Sequence, residues 1–106
     1  MNREIPTFNA TLMGVSFASA EAKQFLDDAP LGTKLKLERD PTNEYDMNAI
    51  RVQPLDSLMH LGHVDRGTAA DLAWWVDHDH QFTVELVAKA EGKARKHSLL
   101  ITPIAA

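Results

Sequence analysis

The chain has 106 residues, 44% of them apolar and 25% charged, with a formal net charge of −4 and no cysteine. That length suits one domain with its own core, taken as residues 1–106, while the lack of cysteine excludes disulfides and thiolate metal sites. The mild acidity excludes a diffusely basic surface, so any contact with nucleic-acid phosphates must use a local basic patch or a shaped pocket.

No apolar run approaches the length of a membrane-spanning helix, and the N-terminus shows no signal-peptide pattern, so a cytoplasmic protein without membrane contact is expected. Thr7 to Ser16 alternate loosely, with Phe8, Leu12 and Val15 apolar, and predict a first strand. Ser19 then stands where a helix N-cap would, with Glu21 in the first turn. Ala22, Phe25, Leu26 and Ala29 follow at helical spacing until Pro30 stops the helix. After Leu31-Gly32, the segment Thr33 to Glu38 alternates with Leu35 and Leu37 inward. Ala49 to Gln53 and Met59 to Val64 predict two strands joined as a hairpin through Pro54 to Ser57. Asp65 is a good cap for a second helix whose stripe is Ala69, Leu72, Ala73 and Val76, ending at His78-Asp79-His80. Phe82 to Lys89 alternates again, Ala90 to Lys96 is a charged loop containing Gly92, and Ser98 to Ile104 is a last strand with Pro103 near its end. The order is strand, helix, three strands, helix, two strands. It predicts a mainly β fold with two short helices, in which about six strands close a small OB-like barrel.

The densest polar segment lies between the second and third strands, at Glu38-Arg39-Asp40-Pro41-Thr42-Asn43-Glu44-Tyr45-Asp46-Met47-Asn48-Ala49-Ile50. Its Asp, Asn and Pro residues are turn formers. Two accounts of it stand side by side. Asx turns at Asp40, Asn43, Asp46 and Asn48 would fold the connection, with Tyr45 packed as a plug in the barrel end. Alternatively, Asn43 and Asp46 would present their polar groups to a ligand.

In order and spacing these residues resemble the HIRAN domain, a small β-barrel module found with Swi/Snf-type helicases in DNA repair. Gly14-Val15-Ser16 resembles its opening Gly-Val element, and Leu35 to Asp40 resembles its apolar-x-apolar-x-Arg-Asp-Pro segment. Asn43, Tyr45, Asp46 and Asn48-Ala49-Ile50-x-Val52 match its central motif, and Leu61-Gly62-His63-Val64 matches its apolar-Gly-aromatic-apolar strand. The resemblance implies an OB-type barrel that captures single-stranded DNA ends, above all a free 3′ hydroxyl. It places Asn43, Tyr45 and Asp46 in the end-binding pocket, with Asp46 accepting from the terminal hydroxyl and His63 and Arg66 meeting phosphate. Two departures stand out. Thr11 and Leu12 occupy positions where the family's DNA binder has aromatics for base stacking, and Glu44 replaces the usual Pro before the Tyr.

Basic residues form two groups that suit a groove for a single strand: Lys34, Lys36, Arg39 and Arg51, and, more concentrated, Lys89, Lys93, Arg95, Lys96 and His97. Solvated surface charge is the competing account for each of them. In the second helix Trp75 flanks the apolar stripe and Trp74 falls nearly opposite it, which suggests a contact with a partner. His60 and His63, three apart on a strand, would face opposite sides, and the spacing of His78 and His80 matches no standard metal site. No metal, cofactor or catalytic constellation is expected. The leading expectation is a non-enzymatic binder of single-stranded DNA or DNA ends in repair or replication. Asn43, Tyr45, Asp46, His63 and Arg66 would form its pocket, helped by Lys93, Arg95 and Lys96, and a helicase or nuclease in a separate chain would be its partner. The alternative is a protein-interaction adaptor on the same scaffold, using Trp74 and the acidic surface.

Overall fold

The computed structural model describes residues 4–104. Apolar alternation dictates its architecture: Ala10 and Leu12, Ile50 and Val52, Val84 and Leu86, and Leu99 and Ile101 all turn inward, each pair two residues apart. The strands carrying them are β1 (Phe8–Met13), β2 (Lys34–Arg39), β3 (Ile50–Pro54), β4 (Gly62–Val64), β5 (Phe82–Ala88) and β6 (Ser98–Pro103). They close a barrel in the order β1-β4-β3-β2-β5-β6, with every neighbouring pair antiparallel. Closure leaves no open edge to pair with another chain. Pro103 sits at the end of β6 opposite Phe82, whose ring meets Phe8 edge-on at 6.2 Å.

Two helices follow their caps. α1 (Ala20–Asp28) begins at Ser19, whose hydroxyl accepts from the Ala22 N–H, and it buries Ala22 and Leu26. α2 (Arg66–Asp77) begins at Asp65, whose carboxylate accepts from the Thr68 N–H and also from the Thr11 N–H of β1 at 2.7 Å. One carboxylate therefore caps α2 and fixes it to the barrel wall. The helix then buries Ala69, Leu72 and Ala73 against β1 and β2.

Two expectations are corrected. The first strand stops at Met13, because Gly14 adopts a left-handed φ of 81° and starts a short 3-10 turn at Val15–Phe17. The strand expected from Met59 begins only at Gly62, so alternation does not govern His60. Gly62 is required where it stands: a Cβ there would lie 2.5 Å from the Met13 carbonyl oxygen and 3.0 Å from Leu12 Cδ1. Gly62→Ala is expected to lower stability by about 1–3 kcal/mol, read as a lower urea midpoint with an unchanged slope.

Candidate nucleic-acid interface

The loop between β2 and β3 is closed from below by strand pairing that runs to Arg39 opposite Ile50, followed by the Asp40 N–H donating to the Ala49 carbonyl. Inside it, two Asx turns set the path. Asn43 Oδ1 accepts from the Tyr45 and Asp46 N–H groups at 2.9 and 3.1 Å, and Asp46 Oδ1 accepts from the Asn48 N–H at 2.9 Å. The Asp40 side chain bonds across the loop instead: Oδ2 accepts from Asn43 Nδ2 at 3.2 Å and from Arg51 Nε at 3.4 Å. The Asn43 hydrogen bond holds the Asp40 carboxyl below its ordinary pKa, aided by Arg51 and His63 and opposed by partial burial.

Arg39 clamps the whole loop from its other side. Its guanidinium donates to both carboxylate oxygens of Asp77 at 2.8 and 3.2 Å, to the Ala49 carbonyl at 2.8 Å and to the Met47 carbonyl at 3.0 Å. The sequence places Arg39 among the surface bases of a groove, yet its side chain is only 15% exposed and four of its five donors are engaged. Lys34 is likewise paired with Glu85.

The loop, β4 and the start of α2 enclose a cleft of about 350 Å³ lined by Met13, Asn43, Tyr45, Asp46, Ala49, His63, Val64 and Arg66. Five residues singled out by sequence thus meet in one place. Arg66 is exposed and makes no ion pair among the described residues. Asp46 is half-buried, and its Oδ2 has no hydrogen-bond donor among them. Asn43 holds the loop with its carbonyl and one amide proton, leaving one proton free. Tyr45 is 84% exposed and plugs nothing, because the Asx turn at Asn43 directs its side chain to the rim. The apolar floor of Met13, Ala49 and Val64 was not singled out in advance, although Met13 follows directly from Leu12 facing inward.

His63 lines the cleft with its Nε2 buried, without a hydrogen-bond partner among the described residues and 3.7 Å from Asp40 Oδ2, too far for a hydrogen bond. His60 and His63 do not face opposite sides: their rings meet edge-on at 4.7 Å, since His60 precedes the strand. Burial, then the neighbouring His63 and Arg51, pushes the His60 pKa down, and its Nδ1 also lacks a partner among the described residues.

The β5–β6 loop stands outside this cleft and is built differently. Arg95 donates to both oxygens of Asp27 at the end of α1, which lowers the Asp27 pKa and raises that of Arg95. Lys89 donates to the Asp27 and Ala29 carbonyls. His97 is buried, its Nδ1 accepting from the Ala90 N–H, and burial pushes its pKa down. Lys93 and Lys96 remain exposed and form no ion pair among the described residues. Leu12 is fully buried and cannot offer a stacking face, whereas Phe17 is 93% exposed. Trp74 lies on α2, 53% exposed and outside the cleft.

A family model described as HIRAN domain matches residues 5–101. The fold is similar to the crystal structure of the HIRAN domain of human HLTF, at 23% identity over 92% of this chain and 74% of that one, with a TM-score of 0.72. It is also similar to a crystal structure of a protein from Lactobacillus plantarum, at 20% identity, 94% and 98% coverage and a TM-score of 0.77. The NMR structure of the HLTF HIRAN domain in its DNA-bound conformation matches at 23% identity, 92% and 73% coverage and a TM-score of 0.60. No curated protein matches the chain in sequence.

Two outcomes are expected from this geometry. Arg39→Ala should lower stability by about 1.5–3 kcal/mol and speed amide exchange at Tyr45, Asp46 and Asn48, and Arg39→Lys should not restore it, because an ammonium cannot form the fork. The second concerns pH. His60 and His97 have folded pKa values below the ordinary 6.5, so the folded state binds fewer protons than the unfolded one. Their contribution is complete above that value and is lost as pH falls through the window beneath it. Melting temperature should therefore drop between about pH 7 and about pH 5, and His60→Gln should show a smaller drop.

Proposed function

The chain belongs to the HIRAN domain family, and on that premise we propose that it is a non-enzymatic DNA-binding module that takes a single-stranded 3′ end into the cleft beside the β2–β3 loop. The observation that carries this reading is the pairing, in one cleft, of an unengaged Arg66 with an Asp46 carboxylate that keeps one oxygen open. A guanidinium suits a phosphate. A carboxylate next to it suits a hydroxyl donor and repels a second phosphate. Tyr45, exposed at the rim, offers a π-face to the terminal base, and the apolar floor suits a sugar. The existence of a DNA-bound form of the similar HLTF domain supports DNA as the ligand class.

The reading implies modest affinity. Stacking contributes about 1–3 kcal/mol per base, and Thr11 and the buried Leu12 supply none. Few phosphates are neutralised, so the salt slope should be shallow, about −0.7 per contacted phosphate for a single strand. Lys93 and Lys96 would add a peripheral contact where the strand continues. Such a module would deliver a DNA end to a helicase or nuclease during repair or replication.

Fluorescence anisotropy with labelled oligothymidylates tests this directly. The 3′-hydroxyl strand should bind more tightly than its 3′-phosphate counterpart, and Asp46→Ala should abolish that preference. Arg66→Ala should weaken both by roughly tenfold or more. Equal binding of both ends by the wild type, or indifference to Arg66, would overturn the end-capture reading.

A further inference from the structure

Helix α2 leaves one face uncovered. Asp71, Asp77 and His78 are exposed and stand three or four residues from the exposed Trp74, so they flank it on that face. His78 stacks on the Trp74 indole with ring centroids 3.8 Å apart and an interplanar angle of 17°, and its Nδ1 lies 2.7 Å from the Trp74 carbonyl oxygen. Trp75 meets the same indole edge-on at 5.1 Å. The ring is therefore held in one orientation while 53% of the residue stays open to solvent. A pre-ordered, half-exposed Trp is the kind of anchor that dominates binding at protein interfaces, because little side-chain freedom is lost on contact.

The unpaired charge carried by this face is negative, and the Arg39 guanidinium offsets only Asp77. Asp71 lies one turn before Trp74, Asp77 almost one turn after, and Asp79 just beyond the helix. Asp71 and Asp79 form no ion pair among the described residues, and Asp77, although bonded to Arg39, keeps its side chain 47% exposed. The last turn of α2 carries no basic residue, so the partial negative charge of the helix end adds to the carboxylates. Phosphates are disfavoured here, and a cation is favoured.

We propose that this face of α2 docks a basic segment of a partner protein, with an Arg or Lys side chain lying against Trp74 and its neighbours meeting Asp71 and Asp79. Guanidinium groups stack well on indole faces, and carboxylates on either side set the line along which the segment lies. None of these residues lines the cleft, so a DNA end and a basic segment can be held together.

The test uses the whole chain and a fluorescein-labelled peptide of alternating Arg and Leu, with a Glu-Leu peptide of equal length as control. The Arg-Leu peptide should bind and the Glu-Leu peptide should not. Trp74→Ala should weaken binding at least about tenfold, and Asp71→Lys similarly, whereas Asp56→Lys on the β3–β4 turn, an identical change in net charge, should leave it unchanged. Equal loss in Asp71→Lys and Asp56→Lys, or none in Trp74→Ala, would reduce the effect to overall charge and overturn the proposal. So would a Trp74-dependent affinity for an oligothymidylate, or concentration-dependent self-association in sedimentation that Trp74→Ala abolishes. Circular dichroism of each variant separates loss of binding from loss of fold.

Discussion

The guanidinium of Arg39 ties three parts of the molecule together: the end of β2, the carbonyls of the β2–β3 loop at Met47 and Ala49, and the Asp77 carboxylate at the end of α2. Because the group is planar and its donors are fixed relative to one another, all of these bonds can form only when the loop and the helix end occupy one relative position. The cleft exists in that position. One wall is the loop, another the start of the same helix, so an arginine that never lines the cleft fixes its width. Most of the loop's own polar groups are turned inward on its shape: Asp40 on Asn43 and Arg51, Asn43 on the amides of Tyr45 and Asp46. What remains for a ligand among the described residues is little and specific: Arg66, one oxygen of Asp46, one amide proton of Asn43 and the face of Tyr45.

On the proposed reading, this economy is what would let an acidic chain hold an anionic polymer. Of the basic residues that suit a groove, Arg39, Lys34, Lys89 and Arg95 are bonded within the protein, which leaves fewer charges for a strand. Affinity would then come from one shaped site and one cation, with the surrounding negative charge discouraging contact elsewhere along the strand. The same surface gives α2 a different chemistry at its two ends. Arg66 opens the helix beside the cleft, and Trp74 with Asp71 and Asp79 closes it in an aromatic and acidic setting. A helix so divided can serve two ligands of opposite charge.

The fold was legible in the sequence because its signals are local. Ser19 and Asp65 cap helices, the Leu, Ile and Val pairs alternate at period two, and Pro and Gly mark the turns, so element order, barrel class and both helices follow from short-range rules. The gathering of Asn43, Tyr45, Asp46, His63 and Arg66 was legible only through the resemblance to HIRAN domains, since His63 and Arg66 lie outside the loop. What was hidden depends on contacts between residues far apart in the chain. Arg39 reads as one more surface base until Asp77, which follows 38 positions later, is brought beside it. Arg95 reads the same way until Asp27 is placed. Tyr45 reads as a plug because aromatic residues usually pack, and only the Asn43 turn shows that its side chain is directed outward. His60 and His63 read as opposed because alternation was extended back past Gly62, where the strand does not reach.

The most direct test of the account is the pattern of backbone amide chemical-shift changes when an oligothymidylate with a free 3′ hydroxyl is titrated into the protein. The account expects the largest changes at Tyr45, Asp46, Asn48 and Arg66, smaller ones at Met13 and His63, and little at Trp74. Changes concentrated in residues 90–97 or along the exposed face of α2, with the β2–β3 loop unmoved, would contradict it.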